Sequence, residues 1–327
     1  MCVIPVLDDL RSKKSPDKVQ SLETLVAAET GGPPTGKRKL VRLSLRHLER
    51  RTRIGRTTVR RLLLARNFSL KSNVKRLTGP PSPDRDRQMR LIRRETTRFV
   101  NSEQPVISVD AKKSELIGDF KNEGQKWEER GMSEEVSAYN FSSDAKAKAV
   151  PNGIYDIAQN TGHVEVGTSS NTARFAVDSI RRWWFLFGMF IYANATRLLI
   201  LADSGGSNGC RPWLWKKMLQ EFAKETGLTI TVRHYPRGAS KWNPIEHRLF
   251  AMISKNWAGY PLRSLATMLA RIRGTTTETG LTVTARWNRQ RYRTKEKVGK
   301  EEKKTIRLRA HNVIPKWNYT ITPNRKK

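Results

Sequence analysis

The sequence predicts an α/β fold: a mixed sheet flanked by helices and preceded by a small, strongly basic helical region. Three observations predict it. Short apolar runs at 106–110, 197–203 and 228–232 have strand length and turn-rich borders. Amphipathic stretches of helical period lie between them, the alternation that builds layers of sheet and helix. From Lys37 to Arg76, by contrast, Glu49 is the only acidic residue among many Arg and Lys.

Residues 1–36 read as a mixed N-terminal segment ending in the loop Gly31-Gly32-Pro33-Pro34-Thr35-Gly36. Residues 37–79 form the basic region. Leu43, Leu45 and Leu48 mark one short helix, Gly55 a turn, and Thr57 to Leu63 a second helix with Val59, Leu62 and Leu63 inward. Two short helices joined at a glycine fit a helix-turn-helix that contacts DNA through Arg56, Thr57, Thr58, Arg60 and Arg61. A basic helical hairpin that grips phosphates alone has the same pattern. Residues 80–104 are a linker helix: Ser82 suits the N-cap and Pro83 the first helical position, with Met89, Ile92, Thr96 and Phe99 on one face.

The region 105–285 has a definite order of elements. Val106 to Asp110 is an apolar strand ending in a carboxylate, followed by a polar insertion from Ala111 to about Val150. Gly153–Ile157 and His163–Gly167 form a hairpin around Asn160-Thr161-Gly162. Asn171 or Thr172 caps a helix with Ala176, Ile180, Trp183 and Phe187 inward. Arg197 to Asp203 is a second apolar strand ending in a carboxylate, and the Gly-rich turn 205–209 leads to a helix from about Pro212 to Glu225. Leu228 to Val232 reads as the last strand. Then Asn243 suits an N-cap and Pro244 a first helical residue, while Ile245, Leu249 and Ile253 give the helix one buried stripe.

Three strands, then helix, strand, helix, strand, helix is the order of a ribonuclease-H-like domain, in which the first and fourth strands lie side by side. Asp110 and Asp203 then end adjacent strands at one sheet edge, and Glu246 approaches from the helix packed across them. Converging carboxylates repel one another unless cations intervene, and such hard oxygen ligands suit Mg²⁺ or Mn²⁺. Two such ions activate an attacking oxygen and stabilise a leaving one at a phosphodiester. Blander readings stand beside this. Glu246 is spaced from Asn243 to close a capping box, and Asp119 or Asp156 replaces Asp110 if the first strand is misplaced.

Three blocks carry a family resemblance: Val106-Ile107-Ser108-Val109-Asp110-Ala111-Lys112-Lys113, Ala202-Asp203-Ser204-Gly205-Gly206-Ser207-Asn208-Gly209, and Ser240 to Phe250 around Asn243-Pro244-Ile245-Glu246. They resemble the Rhodopirellula-type transposase family, bacterial DDE insertion-sequence enzymes distantly related to mariner-like ones. The resemblance implies that Asp110, Asp203 and Glu246 are the catalytic, metal-binding triad. It also implies metal-dependent cleavage at element ends, transfer of the 3′-hydroxyl into target DNA, a homo-oligomer on DNA, and a bacterial, nucleoid-associated setting. Relatives usually carry a further helix-turn-helix upstream; by this resemblance 37–76 is the second such unit. Lys241 and His247 flank the third block and are read either as phosphate contacts or as ordinary solvated residues. A nuclease of the same fold without strand transfer, and an inactive DNA-binding remnant, are the alternatives.

Composition agrees with an anionic partner. Lys+Arg 63 against Asp+Glu 30 gives a net charge of +33, which a polyanion rewards through counterion release. A membrane surface is the weaker partner, because no basic amphipathic helix has a clean apolar face. Trp183 to Ala202 approaches span length but is interrupted by Asn194, Thr196 and Arg197. Cys2 and Cys210 offer neither a disulfide framework nor zinc spacing, and no signal peptide is visible, so the reading is cytoplasmic. Residues 286–327 read as a basic, solvated or backbone-contacting tail, pinned back by Trp317 and Tyr319.

Overall fold

The computed structural model describes residues 16–28, 30, 31, 40, 41, 43–65, 68, 83–129, 133–139, 141–239 and 242–323. The chain divides into two compact units, Met1–Leu77 and Thr78–Lys327.

In the first unit, α1 (Pro16–Ala28) is followed by a two-residue antiparallel pair, β1 (Thr30–Gly31) and β2 (Leu40–Val41), and then by α2 (Leu45–Thr52) and α3 (Arg56–Ala65). Ser44 starts α2 by accepting the His47 N–H on its hydroxyl at 3.2 Å. Arg53 ends it in the left-handed conformation (φ 54) and donates its N–H to the Glu49 carbonyl. Leu22 and Val26 of α1 meet Leu48, Ile54 and Val59 in one small core. The helix α1 lies inside the segment 1–36 that carried no expected element. Pro16 and Asp17 at its start are an ordinary helix-opening signal.

The second unit opens with α4 (Arg85–Asn101), whose N-cap is Asp84, so the helix starts later than the expected Ser82–Pro83; Ser82 lies outside the described residues. Its strands are β3 (Val106–Ala111), β4 (Glu115–Ile117), β5 (Ala147–Asp156), β6 (Thr161–Gly167), β7 (Arg197–Asp203), β8 (Thr229–Tyr235), β9 (Thr282–Asn288), β10 (Leu308–Ala310) and β11 (Asn318–Ile321). They form one sheet in the order β10-β11-β8-β7-β3-β5-β6-β9, with β4 pairing β5. β3, β7 and β8 run parallel, and β5 is antiparallel to both β3 and β6. The stretch β6-β5-β3-β7-β8 is the ribonuclease-H-like arrangement that the element order predicts.

Period-two alternation sends the two faces to different layers. Ile107, Val109, Leu198, Ile200, Ile230 and Val232 pack under α5 (Ala173–Trp183) and α6 (Trp213–Thr226). On the other face, Val106, Leu199 and Leu201 meet Ile92 and Phe99 of α4. Beside them Tyr155, Val164 and Val166 meet Ile245, Leu249 and Ile253, together with Met268 and Ile272 of α8 (Leu265–Arg273). Thr172 caps α5 through its hydroxyl.

Two expectations are corrected. β8 is not the last strand: β9 pairs parallel with β6, and β11 pairs antiparallel with β8. The expected end of the sheet region at 285 therefore falls inside β9, and the basic tail contributes strands to both sides of the sheet. β9 hides in the sequence because an edge strand buries only one face, here Val283 and Ala285, and shows Arg286 and Trp287 on its way out. Among the described residues no helix is long and apolar enough to cross a membrane.

Candidate active site

Parallel pairing of β3 with β7 in the register Val109 opposite Ala202 places the next residues, Asp110 and Asp203, at the same end of neighbouring strands. Glu246 opens a π-helical turn (Glu246–Phe250) that continues into α7 (Ala251–Asn256). The sequence predicts a plain α-helix there; the wider turn still buries Ile245, Leu249 and Ile253 as expected. This helix sits flat on the sheet because Gly153, opposite Asp110 in β5, has no side chain: a Cβ there would stand 2.6 Å from the Phe250 ring.

The three carboxylates interact. Burial, then the Asp203 charge, then Glu246 push the Asp110 carboxyl up to about 8, against an opposing hydrogen bond from the Ala111 N–H to Oδ1 at 2.8 Å. Asp203 is also raised, by burial first and by the Glu246 charge, while a hydrogen bond from Asn243 lowers it. Asp110 and Glu246 share a side-chain hydrogen bond. The capping-box reading of Glu246 fails, since its N–H bonds to the Asn243 carbonyl at 3.1 Å rather than to the Asn243 side chain.

That side chain is used elsewhere, which sequence reasoning missed. Asn243 Nδ2 donates to Asp203 Oδ1 at 3.1 Å, and its Oδ1 accepts from the Ser108 hydroxyl. Ser108 Oγ accepts in turn from the Ile245 N–H at 3.3 Å, so β3 rather than Asn243 serves the helix start. A second chain holds Asp203 from the main-chain side. Burial pushes the His234 imidazole down to about 4, so it is neutral, and Nδ1–H donates to the Asp203 carbonyl at 2.9 Å. With that tautomer Nε2 accepts from the Tyr319 hydroxyl, whose oxygen accepts from Trp215 Nε1 at 2.9 Å. Asn208, in the turn after β7, donates to the Val109 carbonyl at 3.0 Å and ties that turn to β3.

Neither alternative to Asp110 joins the cluster. Asp156 is fully buried at the far end of β5, accepting from Tyr192 and from the N–H groups of Ala158 and Gln159. Asp119 pairs with Arg263 at 2.7 Å. Of the expected DNA contacts, Arg56, Thr57, Arg60 and Arg61 are exposed on α3 and Thr58 is half-buried; Arg56 also pairs with Glu49 at 2.9 Å. His247 is exposed, and with Arg93 and Arg248 it rims a groove of about 430 Å³ floored by Ile92, Leu201 and Tyr235. Lys241 lies outside the described residues.

Among the described residues no three of His, Cys, Asp and Glu already enclose an ion. The donor set nonetheless fits Mg²⁺ or Mn²⁺. Mg²⁺ is commonly held by one or two carboxylates plus water and substrate phosphates, without an all-protein cage. The mutual repulsion that raises Asp110 and Asp203 is what a cation relieves.

A basic helical unit beside a ribonuclease-H-like domain with two strand-end aspartates and a helix-borne glutamate defines a DDE recombinase architecture. The sequence pattern of the family described as Rhodopirellula transposase DDE domain matches residues 21–323, and the chain belongs to that family. No curated protein matches the chain. Distant likenesses among solved structures include the Mos1 transposase paired-end complex with left transposon end, at 12% identity and TM-score 0.43 over 82% of this chain and 70% of that one. The Mos1 mariner paired end complex with Mn gives 12% identity and TM-score 0.41 over the same shares.

Proposed function

We propose that this chain is a metal-dependent transposase that cuts DNA at the ends of an insertion element and joins the freed 3′-hydroxyl to target DNA. The observation that carries the reading is the meeting of Asp110, Asp203 and Glu246 across three separate elements, with their charges in opposition and family membership behind it. Bound divalent ions supply charge neutralisation at the phosphodiester and a more acidic attacking water or hydroxyl. The carboxylates hold and orient that charge, while Asn243, Ser108 and His234 fix where Asp203 stands. Arg56, Thr57, Thr58, Arg60 and Arg61 on α3 read the element end, and Lys241 and His247 contact phosphates beside the carboxylates. More than one copy assembles on the paired ends.

The test uses the full chain with duplex DNA carrying the element's terminal repeats, in Mg²⁺ or Mn²⁺. Expected are nicked ends bearing 3′-hydroxyls and joined products, both absent in Asp203→Asn. Cleavage without joining reduces the chain to a nuclease. Binding without cleavage makes it an inactive remnant.

A further inference from the structure

We propose that Asn243 is a positioning residue that leaves Asp203 one free carboxylate oxygen and thereby biases the carboxylate cluster towards Mg²⁺ over Ca²⁺. The inference rests on the reading of Asp203 as a metal ligand and adds to it the choice of ion. Asn243 is fully buried, and its amide has both ends engaged: Nδ2 on Asp203 Oδ1, Oδ1 on Ser108. The orientation is set by bookkeeping of protons. Ser108 Oγ already accepts from the Ile245 N–H, so its single hydrogen is left for Asn243 Oδ1. A flipped amide would set two acceptors against each other at Asp203.

With Oδ1 occupied, Asp203 offers Oδ2 alone. Asp110 is restricted in the same way, its Oδ1 taken by the Ala111 N–H. His234 grips the Asp203 carbonyl, so the residue has little freedom to turn its other oxygen inwards. Mg²⁺ needs near-ideal octahedral geometry, which ligands of one oxygen each satisfy. Ca²⁺ takes six to eight oxygens and gains from two-oxygen carboxylate ligation. A site whose aspartates are each held to one oxygen therefore disfavours the larger ion.

The test is titration calorimetry of the metal-free full chain with MgCl₂ and with CaCl₂ at pH 8. For Asn243→Ala, the ratio of Ca²⁺ to Mg²⁺ affinity is expected to rise by about tenfold, the scale on which partners of metal ligands act. Ser108→Ala, which frees the amide to turn while keeping it in place, shifts the ratio in the same direction by a smaller factor and is the variant read if Asn243→Ala does not fold. A merely structural role for Asn243 weakens both ions together and leaves the ratio alone. A ratio within twofold of wild type in the folded variants overturns the assignment of Asn243 and leaves the site intact. If the wild-type chain binds neither ion, the reading of the carboxylates as ligands falls, and this inference with it.

Discussion

Gly153 stands directly across the β3–β5 ladder from Asp110, and the space its missing side chain leaves is filled by Phe250. The strand that carries one carboxylate thus also sets how closely the Glu246 helix approaches. Gly153→Ala should overpack this contact, at a cost of about 1–3 kcal/mol, and lift Glu246 away from the aspartates. Thermal melts and nicking assays read the two effects together. An alanine variant with unchanged melting and unchanged cleavage would show that the helix has slack here.

Glu246→Gln separates ligand from structural residue. The helix start is served by Ser108 and by the Asn243 carbonyl, so the variant should fold and bind DNA as wild type does. Loss of the charge should slow strand cleavage by about 10²–10³-fold, the range for removing one preorganised electrostatic group. Cleavage at the wild-type rate would be incompatible with a triad role.

The raised Asp110 carboxyl makes stability depend on pH and on cations. An acid whose folded value lies above its unfolded 3.8 adds stability that is complete below about 4 and is lost as pH rises through about 8. The buried imidazoles of His234 and His311, both pushed down to about 4, act the other way: their contribution is complete above the unfolded 6.5 and lost as pH falls towards 4. Between pH 6.5 and 8.5 the carboxylate effect therefore stands apart. In EDTA the melting temperature should fall across that window, and Asp110→Asn should flatten the fall. Mg²⁺ should raise melting more at pH 8.5 than at 6.5. A flat wild-type profile in EDTA sinks this account.

A net charge of +33 implies steep loss of DNA binding with salt. Removal of residues 1–79 should weaken binding to an element end more than to random duplex. Arg60→Ala and Arg61→Ala should each lower the salt slope by about one if they meet phosphates, or relax end preference if they meet bases. Equal losses on both DNAs after truncation would make the N-terminal unit an electrostatic arm.

The carboxylate cluster was legible because strand-end aspartates and the Pro244 helix start are local signals, and the element order then sets which strands are neighbours. Asn243 was visible as a residue but not in its use. N-cap spacing is satisfied by the sequence alone, whereas its contact with Asp203 needs β7 and the helix to meet in space. Ser108 reads as one small polar residue in an apolar strand, with nothing local to show that it serves a helix start. The strands β10 and β11 are short and sit in a charged stretch, so burial of Tyr319 and Ile321 depends on partners distant in sequence. The helix α1 had its opening signal, yet its apolar face is recognisable only once Leu48 and Val59 are opposite it.

Tyr319 touches His234, and His234 holds the carbonyl of Asp203. During synthesis Asp110, Asp203 and Glu246 all leave the ribosome well before β11 does. A growing chain therefore carries every carboxylate but lacks the brace that fixes one of them. Cutting competence arrives late, with the strand around Tyr319, and a message broken upstream of that codon yields a protein that owns the whole triad and cannot hold it steady.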